Sequence, residues 1–158
     1  MHKIAQILFF LILALTVCTS CKKKAAPTPV GTAEENADVY DLPEIEEGGE
    51  LIAVTISGPE SYYQYHGVDM GLQYLLAEKF ANAQVLRIRM EIARDPVELR
   101  RMLAGSKSDL IAYELPQSLI KKFGFISCGV RDNKVRTSWA VRKSSPELAA
   151  ELNKWYRP

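Results

Sequence analysis

Four tyrosines and a few carboxylates are the residues of this chain best suited to handling a ligand. Tyr62, Tyr63 and Tyr65 crowd one short stretch, and Tyr113 is followed directly by Glu114. Tyrosine offers a flat face and a hydroxyl, which suits sugars and peptides. Ser57, at the end of an apolar run, adds a hydroxyl beside them. Two roles stay open for Tyr62, Tyr63 and Tyr113: lining a cleft, or packing a loop over a sheet edge. Tyr65 fits the packing role better. Asp109 and Glu114 could imitate the carboxylate pair of a glycan-cleaving enzyme. An acid that opens a strand and an acid that lines a cleft or faces water is the expected reading. His66 could serve as base to a Cys128 nucleophile, but no spacing supports the pair. A turn histidine and a buried cysteine fit better. Neither a metal site nor a cofactor is expected, since His66 is the sole histidine beyond the leader and no cysteines cluster.

These residues need elements to position them. Glu50 to Ser57 is rich in β-branched residues and predicts a strand, ended by Gly58-Pro59. Asp69 is read as a helix N-cap that could bring amide donors to an anion, with Leu72, Leu75, Leu76 and Phe80 as the buried face. Val85 to Ile92 alternates apolar and charged residues, a strand with one face buried. Asp95-Pro96 opens the next helix, and Gly105 stops it. Asp109 to Ala112 predicts a third strand. The order β-α-β-α-β argues an α/β fold with parallel strands and right-handed crossovers. A short helix over Gln117–Phe123, strands near Phe125–Val130 and Ser138–Arg142, and a last helix from Ser145-Pro146 complete the pattern. In such sheets ligands sit beyond the carboxyl ends of the strands. That edge is Ser57 to Tyr65 plus Ala112 to Glu114.

The N-terminus carries an address. Ile4 to Val17 is almost wholly apolar but too short to span a bilayer, which takes about 20 residues. Ser20 provides the small residue a signal peptidase needs, and Cys21 follows it. The stretch resembles a bacterial lipoprotein signal of the looser type of Bacteroidetes. The resemblance implies a signal over residues 1–20, acylation of Cys21, and a periplasmic protein held on the inner leaflet of the outer membrane. Cys128 would then be the only thiol of the mature chain, so no internal disulfide is expected. Residues 21–49 read as a tether rich in Ala, Pro, Gly and acids, which would span about 30 Å as a coil. Val39 to Leu42 stands out as a short docking segment, although a solvated linker is the preferred reading. That leaves residues 50–157 as one lobe, enough of the 158 residues for a single core.

The net charge of +1 hides an asymmetry, since no Lys or Arg lies between Ala25 and Glu78. Acids are interspersed with the basic residues that follow, so no nucleic-acid partner is expected. Gly49-Glu50-Leu51-Ile52-Ala53-Val54-Thr55, the Pro59…Tyr62-Tyr63 loop, Gly71 to Ala81 and Leu103 to Ala112 together resemble the first lobe of family 3 periplasmic solute-binding proteins. Within that family they are most similar to the N-terminal module of membrane-bound lytic transglycosylase F. The tail Trp139 to Trp155 resembles the segment where such a module returns to its first lobe. The resemblance implies a single periplasmic-binding-protein-like lobe with a mainly parallel sheet flanked by helices. Three departures matter. Only Tyr113 to Ser138 stands where the family inserts a second lobe. Glu114 and its neighbours replace the Arg-bearing element that grips an amino-acid carboxylate. The lysozyme-like domain with its catalytic Glu is not in this sequence. The expected function is therefore non-catalytic binding of a small molecule or peptidoglycan fragment through Ser57, Tyr62, Tyr63, Tyr113 and Glu114. A detached regulatory part of a lytic transglycosylase and a scaffold that docks an envelope protein are the alternatives.

Overall fold

A computed structural model describes residues 40–157. The signal, Cys21 and the tether as far as residue 39 lie outside them. The elements run α1 (Leu42–Gly48), β1 (Glu50–Ile56), β2 (Tyr63–Tyr65), β3 (Val68–Met70), α2 (Leu72–Ala83), β4 (Arg87–Ala93), α3 (Pro96–Ala104), β5 (Leu110–Pro116), α4 (Gln117–Phe123), β6 (Ile126–Asp132), β7 (Thr137–Val141) and α5 (Pro146–Trp155). Five strands form one sheet in the order β4-β1-β5-β7-β6. β1 pairs in parallel with β4 and β5, and β7 is antiparallel to both β5 and β6. Only β7 runs against the rest, so the sheet is mainly parallel, as expected.

Strand residues alternate between two apolar layers. Leu51, Ala53, Leu110, Ala112, Trp139 and Val141 face one core, shared with Phe80 of α2 and Leu148 and Leu152 of α5. Val54, Ile111, Leu115 and Ala140 face the other, covered by Leu99 and Leu103 of α3 and Ile120 of α4. Thr55 turns its hydroxyl onto the Ala112 carbonyl at 2.9 Å and so latches β1 to β5 without leaving a buried donor open. β6 and β7 are joined by the short turn between Asp132 and Thr137. The Asp132 carboxylate accepts from the Lys134 and Val135 amides there.

The structure departs from the sequence reading at three places. Residues 40–49, expected as the end of a solvated tether, are ordered. Ile45 of α1 is fully buried in the first core, and Asp41 is 4% exposed. Residues 61–67, expected as a loop, lie mostly in the β2–β3 hairpin, with His66 and Gly67 both at positive φ as its two-residue turn. Asp69 is therefore a strand residue and caps no helix. Finally, α2 buries Gln73, Tyr74, Ala77, Phe80 and Ala81, while Leu72 and Leu75 are 52% and 44% exposed. The buried face is rotated about one residue from the leucine pattern. Gln73 is the reason: it is polar yet buried, because both ends of its amide have partners.

Candidate functional site

The carboxyl ends of β1 and β5 meet the loop 57–61 and the first turn of α2 around a cleft of about 390 Å³. Ser57 to Ser61, Leu72, Gln73, Tyr113 and Glu114 line it. This is where an open α/β sheet puts a ligand. The loop wall is self-supporting. The Gly58 amide donates to the Tyr62 carbonyl and the Tyr62 amide returns to the Gly58 carbonyl, both at 2.9 Å. The Ser61 hydroxyl donates to the Ile56 carbonyl at 2.6 Å. The loop also takes the free donors at the start of α2: the Gln73 and Tyr74 amides donate to the Glu60 and Ser61 carbonyls. The helix start thus holds the loop and is not the anion site expected from Asp69.

Gly71 makes that docking possible. Its φ is +122°, and a Cβ there would lie 2.3 Å from the Ser61 carbonyl oxygen. Gly71→Ala is expected to cost about 3 kcal/mol, from backbone strain and the displaced loop together. Urea unfolding checks it, and a loss below about 1 kcal/mol would mean the loop is not held as described.

A chain of hydrogen bonds runs from the core to the cleft. The Trp139 indole donates to Gln73 Oε1 at 2.6 Å, and Gln73 Nε2 donates to Glu114 Oε1 at 2.9 Å. The Thr137 hydroxyl donates to Glu114 Oε2, also at 2.9 Å. Glu114 is thereby fixed in direction, and each of its oxygens keeps a lone pair for a ligand. Among the described residues the cleft wall includes the carboxylates Glu60 and Glu114 and no Lys, Arg or His. Such a lining favours an ammonium or guanidinium group and repels a free carboxylate.

Of the residues singled out in the sequence, Ser57, Tyr113 and Glu114 come together in this cleft. Tyr113 also packs, half-buried, against the second core. Tyr62 and Tyr63 sit next door and do not line it. Tyr62 donates to Asp69 at 2.8 Å and sets its ring edge-on to Tyr74, with centroids 5.7 Å apart. Burial first, then the Asp69 carboxylate, pushes the Tyr62 hydroxyl above its ordinary pKa. Tyr63 is half-buried and pairs with Met70 in the hairpin. Tyr65 is exposed, with the His66 ring against its own. Asp109 is buried away from solvent and accepts from the Ile52 amide and from Arg142, so it forms no catalytic pair with Glu114. Glu60 falls within the expected Ser57–Tyr65 edge without having been singled out, and Leu72 and Gln73 were not legible as site residues. A polar side chain at a buried helix position gives no signal until its partners are known.

His66 lies in the exposed hairpin turn, whereas Cys128 is fully buried in β6 across from Trp139. Burial pushes the Cys128 thiol up to about 12. A thiol held protonated is not a nucleophile. Iodoacetamide at pH 8 is expected to label Cys128 only after denaturation. The unfolded thiol ionises at its ordinary value near 9, so the unfolded state binds fewer protons than the native state above that pH. This group then erodes stability as pH rises from about 9 to about 12, by roughly 1.4 kcal/mol per unit. Labelling of the native chain would contradict the burial. Among the described residues no group of three or more His, Cys, Asp or Glu side chains is placed to hold a metal ion.

No family model matches this sequence, and no curated protein does. The fold itself has solved counterparts. The arginine-bound form of domain 1 of TmArgBP, the T. maritima arginine-binding protein, superposes with a TM-score of 0.63 at 18% identity, covering 70% of this chain and 94% of that one. A point mutant of the same domain, also arginine-bound, gives 0.63 at 19% identity, covering 71% and 92%. The fold is that of a single periplasmic-binding-protein-like lobe, and this chain is similar to almost the whole of that domain.

Proposed function

We propose that this chain is a non-catalytic binding protein of the bacterial envelope, anchored through lipid on Cys21, that takes a small ligand with a positively charged group in the cleft of Ser57, Tyr113 and Glu114. The observation that carries the reading is the cleft itself: it sits beyond the parallel strands and pairs two carboxylates with a fixed hydrogen-bonding frame. The structural neighbour supports it, because a lone domain of that arginine-binding protein is described in an arginine-bound form. A second lobe is therefore not a precondition for binding on this architecture. A peptidoglycan fragment with a free amino group is the ligand proposed for an envelope location, ahead of a carboxylate-first amino acid.

An NMR titration tests this with purified muropeptides, L-arginine and an uncharged glycan strand. Saturable shifts around Ser57, Tyr113 and Glu114 with the amine-bearing ligands, and none with the uncharged strand, are the expected result. A folded spectrum that none of them moves would overturn the reading. A second reading, docking of an envelope protein, is favoured by the exposed Tyr65, Val68, Leu72 and Leu75 on the hairpin and α2. A specific protein adduct on crosslinking in cells would give it the lead.

A further inference from the structure

Beside the cleft lies a second groove of about 560 Å³, and the two share Leu72 and Glu114 in their walls. Its chemistry is different. Leu72, Leu76, Val130 and Tyr156 make an apolar side, and Arg131 and Lys134 a basic one. Among the described residues neither cation lies within ion-pair distance of a carboxylate. The Arg131 guanidinium donates to Asn153, its one hydrogen-bond partner among the described residues. Asp132 also lines the groove, but its carboxylate holds the turn amides of Lys134 and Val135. The two compartments are thus acidic at one end, apolar along the middle and basic at the other.

We propose that they form one binding groove for a short zwitterionic peptide, with its amino end at Glu60 and Glu114 and its carboxylate at Arg131 and Lys134. The sheet sets the length. Glu114 is on β5 and Arg131 on β6, with β7 between them. Two strand spacings of about 4.8 Å put the backbones of the two residues about 10 Å apart. An extended peptide advances at most about 3.5 Å per residue, so about three residues fill the distance. An amino acid with an uncharged side chain carries both charges on one carbon and cannot reach both ends. The Arg131 fork suits a carboxylate, and the apolar side would receive aliphatic side chains. The proposal rests on the small-ligand reading above and specifies the ligand class.

Calorimetry on the full-length chain in non-ionic detergent separates the two levels. The probes are trialanine, N-acetyl-trialanine, trialanine amide and L-arginine. Trialanine is expected to bind saturably, and blocking either end should weaken it at least tenfold. The double variant Arg131→Gln/Lys134→Gln should lose about tenfold for trialanine and nothing for the amide, with an unchanged circular dichroism spectrum. Equal binding of trialanine and its amide, or an undiminished affinity in the double variant, would overturn the proposal. Binding of L-arginine with trialanine silent would overturn it too, yet leave the small-ligand reading standing. Silence from every probe would overturn the proposal and leave the small-ligand reading to the muropeptide titration.

Discussion

Replacing Asp41 by alanine is expected to destabilise the lobe by about 3 kcal/mol, because one carboxylate caps two helices. Its Oδ1 accepts from the Leu42 amide at the start of α1 and from the Leu148 amide in the first turn of α5, at 2.8 and 2.9 Å. Its Oδ2 accepts from the Glu147 amide at 2.8 Å. Glu44 closes a capping box by accepting from the Asp41 amide. Ser145, which stands at the N-cap of α5, makes no cap bond with its side chain and donates to the Tyr40 carbonyl instead. The α5 terminus therefore depends on a residue more than a hundred positions away. Alanine removes the acceptor for three amides, one of them on a fully buried residue. Asp41→Asn keeps one oxygen and should lose about 1 kcal/mol. Thermal unfolding followed by circular dichroism should show the alanine variant roughly 10 °C lower. A shift of only a degree or two would mean that α1 is not docked on the lobe.

Asp41 also shows what a linear reading cannot see. An acid within an acidic, Pro-flanked stretch has the composition of a solvated tether, and its cap partners lie at the other end of the chain. The local rules served well where the partners are local. Asp95 caps α3 through the Glu98 amide three residues on, as the Asp-Pro signature predicts. Gln117–Phe123 is helical over the span read from sequence. The β-α-β-α-β order was legible because β1 and β5 carry apolar runs, β4 alternates apolar and charged residues, and turn residues bound all three. The hairpin at Tyr63–Met70 was not, because its His-Gly turn is an uncommon version of a two-residue turn. In the cleft, Ser57, Tyr113 and Glu114 could be found from topology alone, since β1 ends at Ile56 and Tyr113 and Glu114 follow the apolar Leu110-Ile111-Ala112 start of β5. Gln73 could not, because only the packing of the 57–61 loop on α2 brings it in.

The cleft depends on strand ends, and those are registered from the opposite end of the sheet by a buried ion pair. Arg142 and Asp109 are 7% and 3% exposed, with the guanidinium 3.3 Å from Asp109 Oδ1. Asp109 Oδ2 accepts from the Ile52 amide, and the Asp109 amide returns to the Ile52 carbonyl. Arg142 also donates to the Ser108 carbonyl, so β1, β5 and β7 are tied at one point. Removing one partner of such a pair strands a charge in the interior. Arg142→Met is therefore expected to cost about 4 kcal/mol. Asp109→Asn in the same chain removes the stranded charge while keeping an acceptor for the Ile52 amide. The double variant should accordingly be more stable than Arg142→Met alone, by about 2 kcal/mol. The deficit of Arg142→Met against the parent should resist salt, because a buried pair is little screened. Urea unfolding of the parent, the two single variants and the double variant at low and high salt decides it. Additive losses would show that the pair does not act as a unit, and that the strand register beneath the cleft is held by packing alone.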